Sequence, residues 1–206
     1  MKKSVHTIVL HLFPDLEALF MLWLILQFRI VREHFGVVPG VFGFKTIPSG
    51  PLRPEDWVGI LPTGTPLTAK ELGKLGYLFV DCGGGGAPLD QHGREENVES
   101  NRVTSIDLFV KSLALFHGLP NFLQALVRVI SRHDRDGESV TKMGKKERKN
   151  SPTPNTPREL HMMILGWNLL YPSVKKVIDL TMLAFDGVME QLLQAEQTVE
   201  DMSDEF

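Results

Sequence analysis

The sequence predicts an α/β protein, a mostly parallel sheet flanked by helices with a helical C-terminal part. Three observations lead there. Val5 to Leu10 is an apolar run broken only by His6 and Thr7, and a strongly apolar helical segment comes after it from Leu16. A second compact apolar run, Tyr77 to Val80, recurs after a helical pattern. Continuous apolar runs of this length mark strands buried on both faces, which is how parallel sheets are built.

The totals permit a sizeable core. The chain has 206 residues, 43% of them hydrophobic and 23% charged, with a formal net charge of -3. That length suits one generous domain or one domain with an appendage, and the charge balance gives no general case for nucleic acid. A single cysteine, Cys82, excludes an intrachain disulfide and suits a reducing compartment, so a cytoplasmic location is expected. Met1-Lys2-Lys3 imitates the start of a signal peptide, but His6, His11, Asp15 and Glu17 interrupt the apolar stretch such a peptide needs. The uncharged run Ala18 to Phe28 has eleven residues. A membrane span needs roughly 20, so no membrane association is expected.

In chain order, Pro14 holds Phe13 extended and Asp15 caps the helix that starts at Leu16. The helix is apolar on nearly every side, so sheet, other helices or a partner subunit must cover it. His34-Phe35-Gly36 ends it, and Val37 to Phe44 reads as a second strand. Thr46 to Pro66 is a loop rich in proline and glycine around a short strand, Trp57 to Ile60. Thr68, with Glu71 three residues on, forms a capping box before a helix to Leu75. Gly76 ends that helix, and the strand Tyr77 to Val80 delivers Asp81 at its C-terminal end.

Gly83 to Gly86, Asp90, Gln91 and His92 come next, and then a polar loop, Asn97 to Asn101. Thr104 or Ser105 caps an amphipathic helix through Phe116, and Leu119 to Ile130 gives another. Residues 138–158 are rich in Lys, Arg, Asn, Ser, Thr and Pro and read as a flexible basic loop. Helix resumes from about Pro157 to Tyr171, and Pro172 opens a last helix to about Gln197. The expected organisation is therefore an α/β domain over 1–137, the basic loop 138–158, helices over 159–197 packing on the same domain, and an acidic tail 198–206. No internal repeat is present. The apolar first helix and the apolar stripe of the last leave room for a homodimer.

Four groups of ionisable residues stand out: His11/Asp15/Glu17, Asp81, Asp90/His92, and His133/Asp134 with Asp136. Two come directly after predicted buried strands. In a parallel sheet those strand ends point the same way, so residues about seventy positions apart can meet at one edge. Gathered carboxylates repel one another unless a cation is present. Oxygen and imidazole donors together suit Mn2+, Mg2+, Fe2+ or Zn2+. Such ions polarise phosphoryl oxygens and activate water, so metal-assisted hydrolysis of a phosphate ester is the concrete expectation.

Other features have plainer explanations. The glycines after Asp81 do not form G-x-G-x-x-G, because Pro88 and Asp90 stand where a helix should begin; they suit a tight turn. Cys82, His6, His117, His161, Trp23 and Trp167 read as packing residues. Lys142, Lys145, Lys146, Arg148 and Lys149 form a basic patch that is either a solvated linker or a contact for polyanions or RNA. No aromatic residue interleaves it to stack on bases.

The order of these motifs resembles the DHH superfamily of phosphoesterases, named for Asp-His-His, and especially its metal-dependent hydrolase branch. His11-Leu12-Phe13-Pro14-Asp15-Leu16-Glu17 resembles His-x-x-x-Asp-x-Asp. Asp81-Cys82-Gly83-Gly84 resembles the Asp-x-Gly-Gly form of the strand-terminal aspartate, and Asp90-Gln91-His92 stands where Asp-His-His is usual. The likeness covers about residues 5–137. It implies a DHH-like fold, and metal ligation by His11, Asp15, Glu17, Asp81, Asp90, His92 and Asp134, with Asp136 as a rival to Asp134. Asp81 and His92 would take part in catalysis, and Mn2+ would be the usual ion. Implied substrates are phosphodiesters, short oligonucleotides or polyphosphates, so the partner is a phosphorylated small molecule or a short nucleic acid.

Two departures carry weight. Glu17 reaches one methylene further than the usual Asp. Gln91 replaces a histidine with a neutral amide, a poor metal ligand. They leave three readings open: an active hydrolase, a DHH-like binding or assembly module without turnover, and an RNA-associated factor using the basic loop.

Overall fold

A computed structural model describes residues 4–48, 67–84, 87–91, 103–113, 120–136 and 156–203. Three strands, β1 (Thr7–His11), β2 (Gly43–Ile47) and β3 (Tyr77–Phe79), form a parallel sheet in the order β2-β1-β3. Thr7 pairs with Gly43 on one side and with Tyr77 on the other. The central strand thus has a neighbour on each edge, and its side chains alternate between two apolar layers. Ile8 and Leu10 join the large core with the helices, whereas Val9 joins a smaller layer with Ile47, Leu72, Phe79 and Cys82. Burial on both faces accounts for the apolar run Ile8-Val9-Leu10 in the sequence.

Seven helices are described: α1 (Leu16–Gln27), α2 (Arg29–Phe35), α3 (Ala69–Lys74), α4 (Ser105–Leu113), α5 (Asn121–Asp136), α6 (Thr156–Leu170) and α7 (Val174–Ser203). Helix α1 packs against α2, α4, α5, α6 and α7. Ten of its residues, Leu16 to Ile25, are buried, which is why its sequence shows no polar face. Phe185 of α7 packs against both Phe20 and Trp23 of α1, with ring centroids 5.3 and 5.6 Å away. The indole Nε1–H of Trp23 donates to Asp186 Oδ1 at 2.8 Å. The C-terminal helices are therefore part of the same core. Among the described residues no helix is long and apolar enough to cross a membrane.

Several boundaries differ from the sequence-based expectation. The first helical segment is interrupted: Phe28 adopts an extended conformation, with φ -97° and ψ 116°, between α1 and α2. Neither Pro nor Gly marks this break; the Phe28 ring turns edge-on to Trp23 instead. The second strand is not Val37 to Phe44. Pro39-Gly40 forms a turn with Gly40 at φ 76°, Val38 and Val41 are exposed, and pairing starts at Gly43. β2 is a half-exposed edge strand, so its burial does not show as an apolar run. Helix α5 continues past Ile130 to Asp136, helix α6 begins at Thr156, inside the expected loop, and α7 runs to Ser203 instead of Gln197. The strand expected at Trp57 to Ile60 and the basic residues 142–149 lie outside the described residues.

Candidate metal centre

β1 and β3 run parallel, so their C-terminal ends, at His11 and just before Asp81, lie at one edge of the sheet. After His11 the chain turns through Pro14 into α1. Asp15 caps that helix, its Oδ1 accepting the backbone N–H of Ala18 at 3.0 Å. On the other strand, Val80 N–H still donates to Val9 O at 2.9 Å, and Asp81 then takes a left-handed φ of 53°. Gly83 and Gly84 come next at φ 104° and 73°. A Cβ on Gly83 would stand 3.0 Å from the Phe79 ring and 3.1 Å from Ala87, so the turn requires glycine there.

These turns bring three donors together. His11 Nε2 lies 3.6 Å from Asp81 Oδ2 and 3.8 Å from Asp15 Oδ1. One ligand atom from each residue lies within 4.8 Å of the other two. Glu17, at the start of α1, is also buried; its Oε1 accepts the backbone N–H of Ile106 at 2.7 Å, from the first turn of α4. Among the described residues, Glu17 Oε2 and Asp81 Oδ1 are buried side-chain oxygens with no hydrogen-bond partner. An unsatisfied buried carboxylate oxygen costs about 1–3 kcal/mol or more, and two in one place call for a proton or a cation.

The electrostatics of the centre stem from that crowding. Burial, then the charges of Asp81 and Asp134, push Glu17 up to about 10, against the opposing pull of the Ile106 amide. Burial and the Asp15 charge lift Asp81 to about 6, with the His11 ring and the Ser105 hydroxyl pulling it down. Burial alone would lower His11, but its contacts with Asp15 and Asp81 outweigh that and raise it to about 9. Asp15 is buried enough to be pushed up, yet its contact with His11 prevails and it lies below the usual carboxylate range. Without an ion, the site therefore retains protons that a divalent cation would displace. One imidazole nitrogen with several carboxylate oxygens is a donor set that fits such an ion.

The other expected site residues stand further from this group or serve its frame. Asp90 is fully buried, and its Oδ2 accepts the Gly84 N–H at 2.7 Å, which braces the glycine turn. Gln91 accepts a hydrogen bond from the Ser105 hydroxyl through its amide oxygen. Asp134 is exposed on α5, close enough for its charge to act on Glu17. His92 and the side chain of Asp136 lie outside the described residues. Cys82 is buried, donates through Sγ to Val9 O at 3.3 Å, and is held well above its usual thiol value by burial and by Asp81 and Asp90. It is a packing residue, in keeping with the sequence.

Two contributors were read from sequence in other roles, Ser105 as a candidate helix cap and His161 as a packing residue. Ser105 reaches both Gln91 and Asp81 from the start of α4, a place marked in sequence only by the small residues that open that helix. His161, read as a packing residue, lies on α6 near enough for its charge to act on Asp15. Its signal was the i, i+3, i+7 set His161, Ile164, Asn168, which puts two polar residues on the buried face of that helix.

No protein-family model, no curated protein and no solved structure matches the chain.

Proposed function

We propose that the protein is a metal-dependent hydrolase of a phosphate ester or phosphoanhydride, with Mn2+ as the first candidate ion. The observation that carries this reading is the His11–Asp15–Asp81 group, with two buried carboxylate oxygens lacking hydrogen-bond partners beside it. The motif order that resembles DHH phosphoesterases supplies the substrate class. His11, Asp15 and Asp81 would hold the ion, with Glu17 adjoining it. When bound, the ion would act as a Lewis acid on a phosphoryl oxygen and acidify a water molecule. The chain itself contributes orientation and proton transfer. The α4 N-terminus fixes Glu17 through the Ile106 amide, and Ser105 restrains Asp81 and Gln91. In hydrolysis the oxygen of water would bond to phosphorus as the bond to the leaving oxygen breaks; Asp81 Oδ1, which has no hydrogen-bond partner, would take the proton that water gives up, and the leaving oxygen would depart as an anion that takes its proton from solvent.

A second reading, a binding module without turnover, is favoured by one observation. The positions where a second ion would be expected to find ligands are engaged otherwise, Asp90 with the Gly84 amide and Gln91 with Ser105. Hydrolysis assays separate the two. Metal-replete protein is offered a phosphodiester and a polyphosphate, with Asp81→Asn as control. Turnover lost by at least about a hundredfold in the variant, as for loss of a key catalytic group, supports the hydrolase. Metal bound without Asp81-dependent turnover supports the module.

A further inference from the structure

We propose that the groove between α4 and α5 binds a small organic phosphate, its phosphate group held by Lys111, Arg128 and Arg132. The inference goes beyond the hydrolase reading and does not depend on it, since none of these residues belongs to the metal centre. The two helices pack against each other, and between them lies an open groove of about 390 Å3. Asp107, Val110 and Lys111 line it from α4, and Val127, Arg128, Ser131 and Arg132 from α5. Spacings of three and four residues put each set on one stripe of its helix. Two helical faces therefore make the groove, with no loop contributing to it.

The lining divides by chemistry. Lys111, Arg128 and Arg132 are exposed, whereas Val127 is buried and Val110 half-buried. Asp107 and Ser131 tie the two helices together. The Ser131 hydroxyl donates to Asp107 Oδ1 at 2.8 Å, and the Thr104 backbone N–H donates to Asp107 Oδ2 at 3.1 Å. Thr104 Oγ1 in turn accepts the Asp107 N–H at 3.3 Å, so the aspartate belongs to the cap of α4. Three cations against this one carboxylate leave the lining with a formal charge of +2, on a chain whose formal net charge is -3. Arg128 and Arg132, four residues apart, stand on the same face of α5 and repel each other. A multivalent anion between them relieves that repulsion.

This combination defines the ligand. A guanidinium presents a planar fork of donors that matches phosphate oxygens, and an ammonium adds a compact charge. The two valines, with the methylene stems of the three long side chains, offer apolar surface to the rest of the molecule. The volume lies within the range of roughly 300–1,000 Å3 that small-molecule sites occupy. A nucleic acid strand asks instead for a longer cationic track and for aromatic faces on which bases stack. None of the described residues that line the groove is aromatic.

The test is calorimetric titration of the full-length protein with phenyl phosphate in chelator, which keeps divalent ions from the metal centre. Inorganic phosphate and benzoate are titrated in parallel. Phenyl phosphate should bind saturably, and more tightly than inorganic phosphate, which lacks the apolar body, or benzoate, which lacks the second charge. Arg128→Gln and Arg132→Gln, both at exposed helix positions, should keep the wild-type circular dichroism. Each should weaken phenyl phosphate binding at least about tenfold, as expected for a lost charge-assisted hydrogen bond. Lys111→Gln should give a smaller loss. Asp81→Asn should bind phenyl phosphate as wild type does; a loss there as large as in the arginine variants would move the site to the metal centre and overturn the proposal. So would no binding of phenyl phosphate, binding no tighter than that of inorganic phosphate or benzoate, or arginine variants that bind as wild type does. Single-stranded RNA bound more tightly than phenyl phosphate, and released by the same arginine substitutions, would overturn the small-molecule assignment in favour of nucleic acid.

Discussion

Glu17 is 2% exposed, with one oxygen on the Ile106 amide and the other without a partner. Its carboxyl is pushed up to about 10, so the folded, metal-free protein keeps the proton while the unfolded chain gives it up near 4.5. Between those values the unfolded state is favoured by a further ~1.4 kcal/mol per pH unit. Asp81, raised to about 6, acts in the same direction above 3.8. His11, raised to about 9, contributes stability that is complete below 6.5 and lost as pH rises through 9. All three make the metal-free protein less stable as pH rises. Asp15, which is lowered, loses its contribution only in acid. We therefore expect Glu17→Gln, measured in chelator by urea unfolding, to be more stable than wild type at pH 7 by on the order of 2–3 kcal/mol. The gain should vanish near pH 4.5. A variant less stable than wild type at pH 7 would show that the Glu17 proton is not the cost described.

The start of helix α3 was legible to the residue, and its end to within one. Thr68 accepts the Glu71 N–H at 3.3 Å, and Glu71 returns a bond from the Thr68 N–H at 2.8 Å, which completes the capping box read from sequence. Thr68→Ala should cost about 1 kcal/mol in urea unfolding and leave Mn2+ affinity unchanged, because α3 packs in the smaller apolar layer behind the sheet. A large loss of metal binding would contradict that separation. β1 and β3 were legible for a different reason. Both are buried beyond their first residue, and burial on both faces prints consecutive apolar residues, Ile8 to Leu10 and Leu78 to Val80. β2 was misplaced because its residues Gly43 to Thr46 are exposed or half-buried and print no such run, and the apolar Val38 and Val41 preceding it are exposed in the turn. The break at Phe28 had no Pro or Gly signal, since the residues around it favour helix. The extension of α5 to Asp136 was hidden in the same way, where the apolar pattern ends before the helix does.

At the scale of the molecule, an apolar helix lies at the middle of the core. Its N-terminal turn carries Asp15 and Glu17, and three of the helices that bury it also act on that turn. α4 supplies the Ile106 amide and Ser105, α5 carries Asp134, and α6 carries His161 and Asn168. The sequence disclosed the acidic half of the centre, because strand ends and helix caps have local signatures. Its other half depends on how helices more than eighty residues away fold back, which no local pattern records. The cover that α1 requires, from sheet, helices or a partner subunit, is supplied by helices of the chain itself. The central claim is that these elements build a site for a divalent cation at His11, Asp15 and Asp81. Calorimetric titration of chelator-treated protein with Mn2+ tests it most directly, with Asp81→Asn alongside, since Asn tolerates the left-handed conformation of residue 81. The account predicts saturable binding accompanied by proton release, and binding at least tenfold weaker in Asp81→Asn. Wild type that binds no Mn2+, Mg2+, Fe2+ or Zn2+, or a variant that binds as tightly as wild type, would contradict it.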